Sequence, residues 1–314
     1  MADLRNEFSW SKSRGEVFAE CPRKYFYSYY GAWGGWSAKP NSKERTLYVL
    51  KQLMTRQMWA GTLVHNCLRW ILTTLRTTGS APSEEAALSA LGRRLQVDFQ
   101  NSGEGLYWEN PKKIPGLLEH EYDHLEVEDE AWARVFQRAL EAITTFYHSE
   151  IFQTLHSLHP DDWMEIERLG QFEVDTVKVW VQLDCAFHIR EGLQVIDWKT
   201  GRADLEQTRA QLALYAWYAS QTWNLDPATV FPSEINLRTG ETIAHQFTET
   251  DFERIRQTIA QSVAAMRALL DDVDQNLATE DRFPMSESDE PCHTCAFRRV
   301  CPKWATPADA HADE

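Results

Sequence analysis

The sequence lacks any apolar run long enough to cross a membrane, and it is poor in basic residues. A membrane-spanning helix needs roughly 18 consecutive apolar residues, and the first residues lack the charged-then-apolar pattern of a secretory signal. Lys and Arg total 32 against 47 Asp and Glu, a formal net charge of −15 over 314 residues. Taken alone, this charge argues against a protein that coats itself with nucleic acid. The sequence predicts a soluble, cytoplasmic protein with no membrane partner.

The chain also lacks internal repeats and low-complexity segments. Its content of 43% hydrophobic and 12% aromatic residues can build a substantial core, which excludes a disordered or collagen-like chain. Apolar spacing predicts an α/β fold in which helices flank one mixed central sheet, and Gly61 is a candidate break in the second helix. The predicted helices cover 11–30, 45–78, 82–100, 129–157, 204–223 and 250–277, and the predicted strands cover 164–174, 177–189, 193–198, 233–237 and 242–247.

Charge is distributed unevenly along the chain. Residues 1–80 carry 12 basic and 5 acidic side chains, whereas acids dominate both 81–170 and 171–314. Aromatic residues follow Arg23 and Lys24 closely, beginning with Tyr25. Cations and rings together suit a single-stranded nucleic acid, because phosphates pair with cations and bases stack on rings. An amphipathic helix whose rings belong to the core is the alternative.

An acid and a lysine interrupt a strand that is otherwise apolar. Asp197 and Lys199 stand at i and i+2, so they share one strand face, and Asp184 ends the preceding strand. Buried charges are costly unless they are paired or bound to a metal. Two carboxylates on adjacent strands can hold Mg²⁺, with the lysine placed where charge develops in a transition state. An ion pair at a strand exit is the structural alternative.

Two further elements make the pattern more specific. Gln211 and Tyr215 stand at i and i+4 on the next predicted helix and so share its face. His65 lies far upstream, after Gly61. The order His, Asp, Asp-x-Lys, Gln-x-x-x-Tyr resembles the RecB-like branch of the PD-(D/E)XK nuclease superfamily. The resemblance implies a restriction-endonuclease-like fold.

The resemblance also implies a role for each matching residue. His65, Asp184 and Asp197 would bind Mg²⁺ or Mn²⁺, and the backbone carbonyl of Trp198 would complete the metal shell. Lys199 would be the catalytic lysine. Gln211 and Tyr215 would support that lysine and the nucleic-acid strand. The sequence departs from many relatives in having Asp, not Glu, at position 197.

Three cysteines fall within ten residues near the end of the sequence. The spacing Cys292-x2-Cys295-x5-Cys301 is typical of a bound metal, and four thiolates would suit either zinc or an iron–sulfur cluster. Cys21, before the nuclease motifs, resembles the lone amino-terminal ligand of the iron–sulfur RecB-like nucleases, which include AddB and the CRISPR-associated RecB-like exonucleases. That resemblance implies a [4Fe–4S] cluster on these four cysteines that joins the two chain ends.

These observations predict four segments and one leading function. A basic helical segment (1–80) precedes an acidic helical insert (81–160), the nuclease core (161–280) and a cysteine-bearing tail (281–314). The resemblance implies a metal-dependent deoxyribonuclease, an exonuclease acting on DNA ends or single strands. A helicase or another complex subunit is an expected partner. The alternative is a non-catalytic nucleic-acid-binding subunit of a repair, CRISPR-adaptation or defence complex that retains the fold.

Overall fold

The computed structural model describes residues 5–201 and 205–304, which form two compact units. Within these residues the first unit comprises 5–55, 99–126 and 259–304, and the second comprises 56–98, 127–201 and 205–258. The four predicted segments follow chain order, whereas the units follow packing. Position 204, where a helix is predicted to begin, and the tail from 305 onward lie outside the described residues.

Most of the described chain is helical. No helix in the ranges 5–201 and 205–304 is both long and apolar enough to cross a membrane. The α-helices are α1 (Lys12–Glu20), α2 (Pro22–Phe26), α3 (Lys43–Leu50), α4 (Arg56–Thr78), α5 (Glu84–Gly103), α6 (Leu118–Glu121), α7 (Asp129–Tyr147), α8 (Glu150–Ser157), α9 (Leu205–Trp223) and α10 (Glu249–Arg267).

Local capping explains where several helices begin. The hydroxyls of Ser11, Ser42 and Ser149 accept backbone N–H groups at the starts of α1, α3 and α8, which satisfies donors that have no partner inside a helix. The predicted helix over 129–157 therefore divides in two at Ser149. The predicted helix over 45–78 also divides, but between α3 and α4. Gly61 lies inside α4 and does not break it.

Five strands form one mixed sheet in the second unit. They are β1 (Trp163–Val174), β2 (Val177–Ile189), β3 (Gly192–Lys199), β4 (Val230–Asn236) and β5 (Thr242–Ala244). Their order is β1-β2-β3-β4-β5, and every neighbouring pair is antiparallel except β3 and β4. The parallel pair is joined through α9, as a parallel connection requires. Helices flank this sheet, which confirms the predicted α/β class.

The β1–β2 hairpin has a turn that fits the twist of the sheet. Asp175 and Thr176 both have positive φ, 47° and 68°, as a two-residue turn of the favoured hand requires. The Arg256 guanidinium donates to both carboxylate oxygens of Asp175, at 2.7 and 2.9 Å. A strong turn fixes the register of the two strands, which sets the residues facing each other farther along β1 and β2.

In the first unit, the two ends of the described chain pack together around aromatic rings. Tyr25 is 1% exposed and stacks with Phe283 at 6.3 Å between centroids. The Arg23 backbone N–H donates to the carbonyl of Pro284, and its guanidinium donates to Glu280 at 2.8 Å. Lys24 pairs with Glu20 at 2.9 Å.

This packing bears on the nucleic-acid role expected for Arg23, Lys24 and Tyr25, which stays a prediction. Tyr25 is enclosed in the core, where it cannot stack on a base, and Arg23 is 8% exposed with its charge paired. Burial removes apolar ring surface from water, and this stabilises the folded protein more than an exposed ring would. The alternative interpretation, rings in the core, describes Tyr25.

Candidate active site and cysteine site

The residues of the Asp-x-Lys pattern lie at the end of the central strand β3 in the second unit. Strand alternation puts Asp197 and Lys199 on one face, whereas the indole of Trp198 is buried and packs edge-on against Phe146 at 5.5 Å. Lys199 Nζ lies 2.7 Å from Asp197 Oδ2. The local period of the strand is therefore enough to pair the acid with the lysine.

Helix α9 extends this pair into a chain of four side chains. Lys199 Nζ donates to Gln211 Oε1 at 2.9 Å, and Gln211 Nε2 donates to the Tyr215 hydroxyl at 2.7 Å. Gln211 and Tyr215 stand one helical turn apart, so both can reach the strand from one face. The Lys199 ammonium is thus held by both Asp197 and the amide of Gln211.

A second group of ligands lies around Asp184 on β2. His65 Nδ1 is 3.0 Å from Glu167 Oε1 and 3.4 Å from Asp184 Oδ1. One ligand atom from each of these three residues lies within 4.8 Å of the others. The other carboxylate oxygen of Asp184 accepts the backbone N–H of Trp198 at 2.7 Å, which links this group to β3. We call these residues, with Asp197, Lys199, Gln211 and Tyr215, the carboxylate site.

Close packing of α4 brings His65 to the site. A Cβ at Gly61 would lie 3.2 Å from the Thr200 hydroxyl, just beyond Lys199, so the absence of a side chain lets the helix approach the end of β3. His65 follows one turn later on the same helix face. Gly61 therefore acts as a contact point of an unbroken helix.

Glu167 is a site residue that the sequence reasoning missed. On β1 its neighbours Ile166 and Arg168 pair with Cys185 and Leu183, so Glu167 stands opposite Asp184. Its φ of 48° is uncommon for a residue inside a strand. Glu167 belongs to a strand with several polar residues, and nothing in that local pattern distinguishes it. Only the strand register identifies it.

Burial and neighbouring charges change the proton affinities in the carboxylate site. Burial raises the pKa of Asp197 to about 7, and the nearby Asp184 adds to this, although Lys199 and His65 oppose it. Burial lowers the pKa of His65, but Asp184 and Glu167 outweigh it and raise that pKa to about 10. Burial raises the pKa of Tyr215, and the carboxylates of Asp184 and Asp197 raise it further. Its hydroxyl therefore stays protonated.

The donor set fits a divalent cation. The site contains three carboxylates, those of Glu167, Asp184 and Asp197, but only two nitrogen groups, those of His65 and Lys199. Acidic groups therefore outnumber basic groups at a mostly buried position. Oxygen ligands with one imidazole suit Mg²⁺ or Mn²⁺. The role expected for the Trp198 carbonyl stays a prediction.

The four predicted cluster cysteines lie together in the first unit. Cys21, Cys292, Cys295 and Cys301 line one cavity, which Arg23, Lys24, Arg298 and Lys303 also line. We call these four cysteines the cysteine site. Burial raises the pKa of Cys295 to about 11, and the proximity of Cys21 and Cys301 adds to it. Burial therefore disfavours the thiolate form of Cys295.

The other two cysteines lie outside this site. Cys67 on α4 and Cys185 on β2 are both buried in the second unit. Burial raises the pKa of Cys67 to about 11 and also raises the pKa of Cys185. Such thiols behave as small core residues.

Comparisons with known proteins agree with this geometry at the level of the family. The family model described as the PD-(D/E)XK nuclease superfamily matches residues 9–302. Comparison with curated proteins finds no significant match. Among solved structures, the crystal structure of SSO0001 is similar at 18% identity and a TM-score of 0.30, over 60% of this chain and 80% of that chain. A similarity this low carries no argument about function.

Proposed function

Since this chain belongs to the PD-(D/E)XK nuclease superfamily, we propose that it is a metal-dependent deoxyribonuclease. It hydrolyses phosphodiester bonds as an exonuclease on DNA ends or single strands. One observation carries the proposal: an unbroken set of contacts runs from Asp197 through Lys199 and Gln211 to Tyr215, beside the ligand group around Asp184. A non-catalytic protein has no need to keep such a set of charges buried, since each is costly.

Each side chain of the carboxylate site has a defined task in this proposal. Asp184 and Asp197 hold the cation with His65, Glu167 and the Trp198 carbonyl. A bound divalent ion supplies Lewis-acid stabilisation of the phosphate and eases deprotonation of the attacking water. Lys199 places positive charge where the phosphate gains negative charge. Gln211 holds the Lys199 ammonium in position, and Tyr215 in turn holds Gln211.

Digestion of end-labelled DNA tests the proposal. Wild-type protein should degrade single-stranded DNA or duplex ends with Mg²⁺ or Mn²⁺ and should be inactive in EDTA. Lys199→Ala should lose activity by about 100-fold or more, the scale of one lost electrostatic contact in a transition state. The matched control is Lys12→Ala, since Lys12 pairs with Glu16 on the separate helix α1. Equal activity in wild type and Lys199→Ala would overturn the proposal.

We further propose that the cysteine site holds a [4Fe–4S] cluster and that the chain belongs to the RecB-like iron–sulfur branch of its superfamily. Four thiolates are the usual ligands of such a cluster, and four cysteines share one cavity. Arg298, which also lines the cavity, supports it, because a cluster with four thiolates is an anion. Its role is to join the ends of the described chain.

Sulfur spacing supports a cluster over a single zinc ion. Zinc bonds to sulfur at about 2.3 Å in a tetrahedron, which puts the sulfurs roughly 4 Å apart. Within the described residues, one set of three or more metal-ligand atoms lies within 4.8 Å of one another, and it belongs to His65, Glu167 and Asp184. No three cysteine sulfurs meet that spacing in this part of the chain. A larger inorganic core fits the wider arrangement.

Anaerobic purification tests the cluster directly. The protein should be brown, with broad visible absorption and stoichiometric iron and sulfide, and Cys292→Ala should lose this absorption. Cys67→Ala is the matched control, because Cys67 is a buried thiol outside the cysteine site. A colourless wild-type protein with stoichiometric zinc would overturn the iron assignment while leaving the nuclease proposal intact.

A further inference from the structure

Two tryptophans on the first unit are exposed although rings just before them are buried. Trp33 and Trp36 are each 38% exposed and pack edge to face at 5.2 Å between centroids. Trp36 also contacts the buried Tyr48 edge-on, at 6.3 Å. Exposed apolar ring surface costs stability that burial would recover. A pair of partly exposed indoles therefore points to a binding role.

The turn that carries these tryptophans is held in place by two glycines. Gly34 has a φ of 80°, which favours glycine. A side chain at Gly35 would collide with the backbone carbonyl of Glu44 at the start of α3. The tight approach fixes the turn against α3, so the indoles are presented on rigid backbone. Preorganised rings lose little entropy on binding a ligand.

Cations lie near Trp36 and the neighbouring Tyr48. Trp36, Tyr48, Arg45 and Lys112 line a groove of about 460 Å³, a size that can hold a ligand. Lys51 Nζ lies 5.4 Å from the centre of the Tyr48 ring. No ion pair within 4.0 Å links Lys51 or Lys112 to a carboxylate in the described part of the chain. One carboxylate, that of Glu109, also lines the groove.

The cations also lie close to one another. Partial burial lowers the pKa of Lys51, and Arg14 and Lys112 lower it further because they are like charges. Lys51 Nζ donates to the Ser28 carbonyl at 3.3 Å, and the Arg45 guanidinium donates to the backbone carbonyls of Trp108 and Glu109. Concentrated positive charge that has no acid partner is the complement of a polyanion.

We propose that the surface formed by Trp33, Trp36, Arg45, Lys51 and Lys112, here called the tryptophan surface, binds single-stranded nucleic acid. Bases stack on the indoles, and phosphates pair with Lys51 and Lys112. A duplex hides its base faces within the stack, so the rings select unpaired strands. The choice of a nucleic-acid ligand rests on the proposed nuclease function, whereas the location of the surface rests on exposure and charge.

Binding without divalent metal tests this surface separately from catalysis. Fluorescence anisotropy in EDTA would follow a labelled oligothymidine of about 20 nucleotides and the matching oligouridine. Trp36→Ala should weaken binding of the single strand by about 10-fold, the scale of one lost base stack, and Trp36→Phe should restore most of it. Lys112→Glu should reduce the dependence of affinity on salt. Comparison of the two oligomers distinguishes DNA from RNA as the preferred strand.

Matched controls keep the outcome clear. Trp70→Ala removes an indole that is 42% exposed on α4 and should leave affinity unchanged, and Lys12→Glu reverses a charge on α1. Thermal unfolding confirms that each variant is folded. Unchanged affinity in folded Trp36→Ala would overturn the proposal, and so would an equal loss of affinity for duplex DNA. Neither result would bear on Lys199-dependent cleavage, which is measured with metal present.

Discussion

The carboxylate site and the cysteine site hold charge in opposite ways. In the carboxylate site, protein cations offset only part of the acidic charge, as in the ion pair of Asp197 with Lys199 at 2.7 Å. In the cysteine site, burial and neighbouring thiols raise the pKa of Cys295 and Cys301, which disfavours the thiolate form of these two residues. The carboxylate site is therefore preorganised for an exchangeable ion. In the cysteine site, binding of a metal group would favour the charged thiolate forms.

The two sites also differ in where their residues lie in the chain. The carboxylate site is built on adjacent strands and the helices packed on them, within a unit that has its own sheet and core. The cysteine site joins Cys21 to three cysteines near the other end of the described chain. Loss of metal should therefore affect chemistry at one site and stability at the other.

Asp197→Asn should have the largest effect, on catalysis. The substitution keeps the shape of the side chain but removes both a proposed ligand and the charge partner of Lys199. Hydrolysis of end-labelled DNA under single-turnover conditions should slow by about 100-fold or more. Asp161→Asn, at an exposed position just before β1, is the control and should retain wild-type rates. Wild-type activity in Asp197→Asn would remove the distinction between the two sites.

Cys301→Ala should act on stability. If a cluster joins the chain ends, its loss resembles the loss of a long-range cross-link, worth about 2–4 kcal/mol, or about 5 °C or more in melting temperature. EDTA at a concentration that abolishes cleavage should shift the melting temperature of wild-type protein much less. Calorimetry or circular dichroism measures both. A larger shift from EDTA than from Cys301→Ala would reverse the assignment of roles.

Glu167→Gln should weaken metal binding without abolishing it. The change removes one charged ligand but leaves Asp184, Asp197 and His65, so the Mn²⁺ affinity should fall by about 10–100-fold. Saturating Mn²⁺ should restore most of the cleavage rate. Glu173→Gln is a matched control, because Glu173 lies exposed on the same strand. Identical Mn²⁺ titrations for the two variants would exclude Glu167 from the site.

Arg23→Ala should have a smaller effect, on the free energy of unfolding. Arg23 donates to the Phe283 carbonyl and to Glu280, so its loss should cost about 2 kcal/mol. Lys43 pairs with the same carboxylate, at 2.7 Å, but its side chain is 59% exposed, and Lys43→Ala should cost about 0.5 kcal/mol. Urea titration compares the two variants. Equal costs would contradict a structural role for Arg23 in joining the chain ends.

Much of the site was predictable because backbone periods alone arrange it. A strand places Asp197 and Lys199 on one face, and a helix aligns Gln211 with Tyr215, whatever the rest of the fold does. The structure brings these residues together as the spacing predicts, and His65 joins them on α4. Alternation also located β1, β2 and β3 to within a few residues. The functional role of each residue stays a prediction that the variants test.

Other features depend on partners distant in sequence. Glu167 joins the site because the β1–β2 register sets it opposite Asp184. Tyr25 is buried because Phe283, more than 250 positions away, packs on it, whereas Trp36 in the same aromatic segment remains exposed. Gly61 is a contact point because Thr200 lies against it. These partners lie too far away in the sequence for a local pattern to predict them.

Local sequence pattern therefore predicted the α/β class and the pairings of Asp197 with Lys199 and of Gln211 with Tyr215. Those features follow from short-range geometry and from the chemistry of the residue types. Tertiary structure decided which aromatic residues are core, which additional acid reaches the metal ligands and which parts of the chain share a unit. Those outcomes depend on burial and register, which only long-range packing sets.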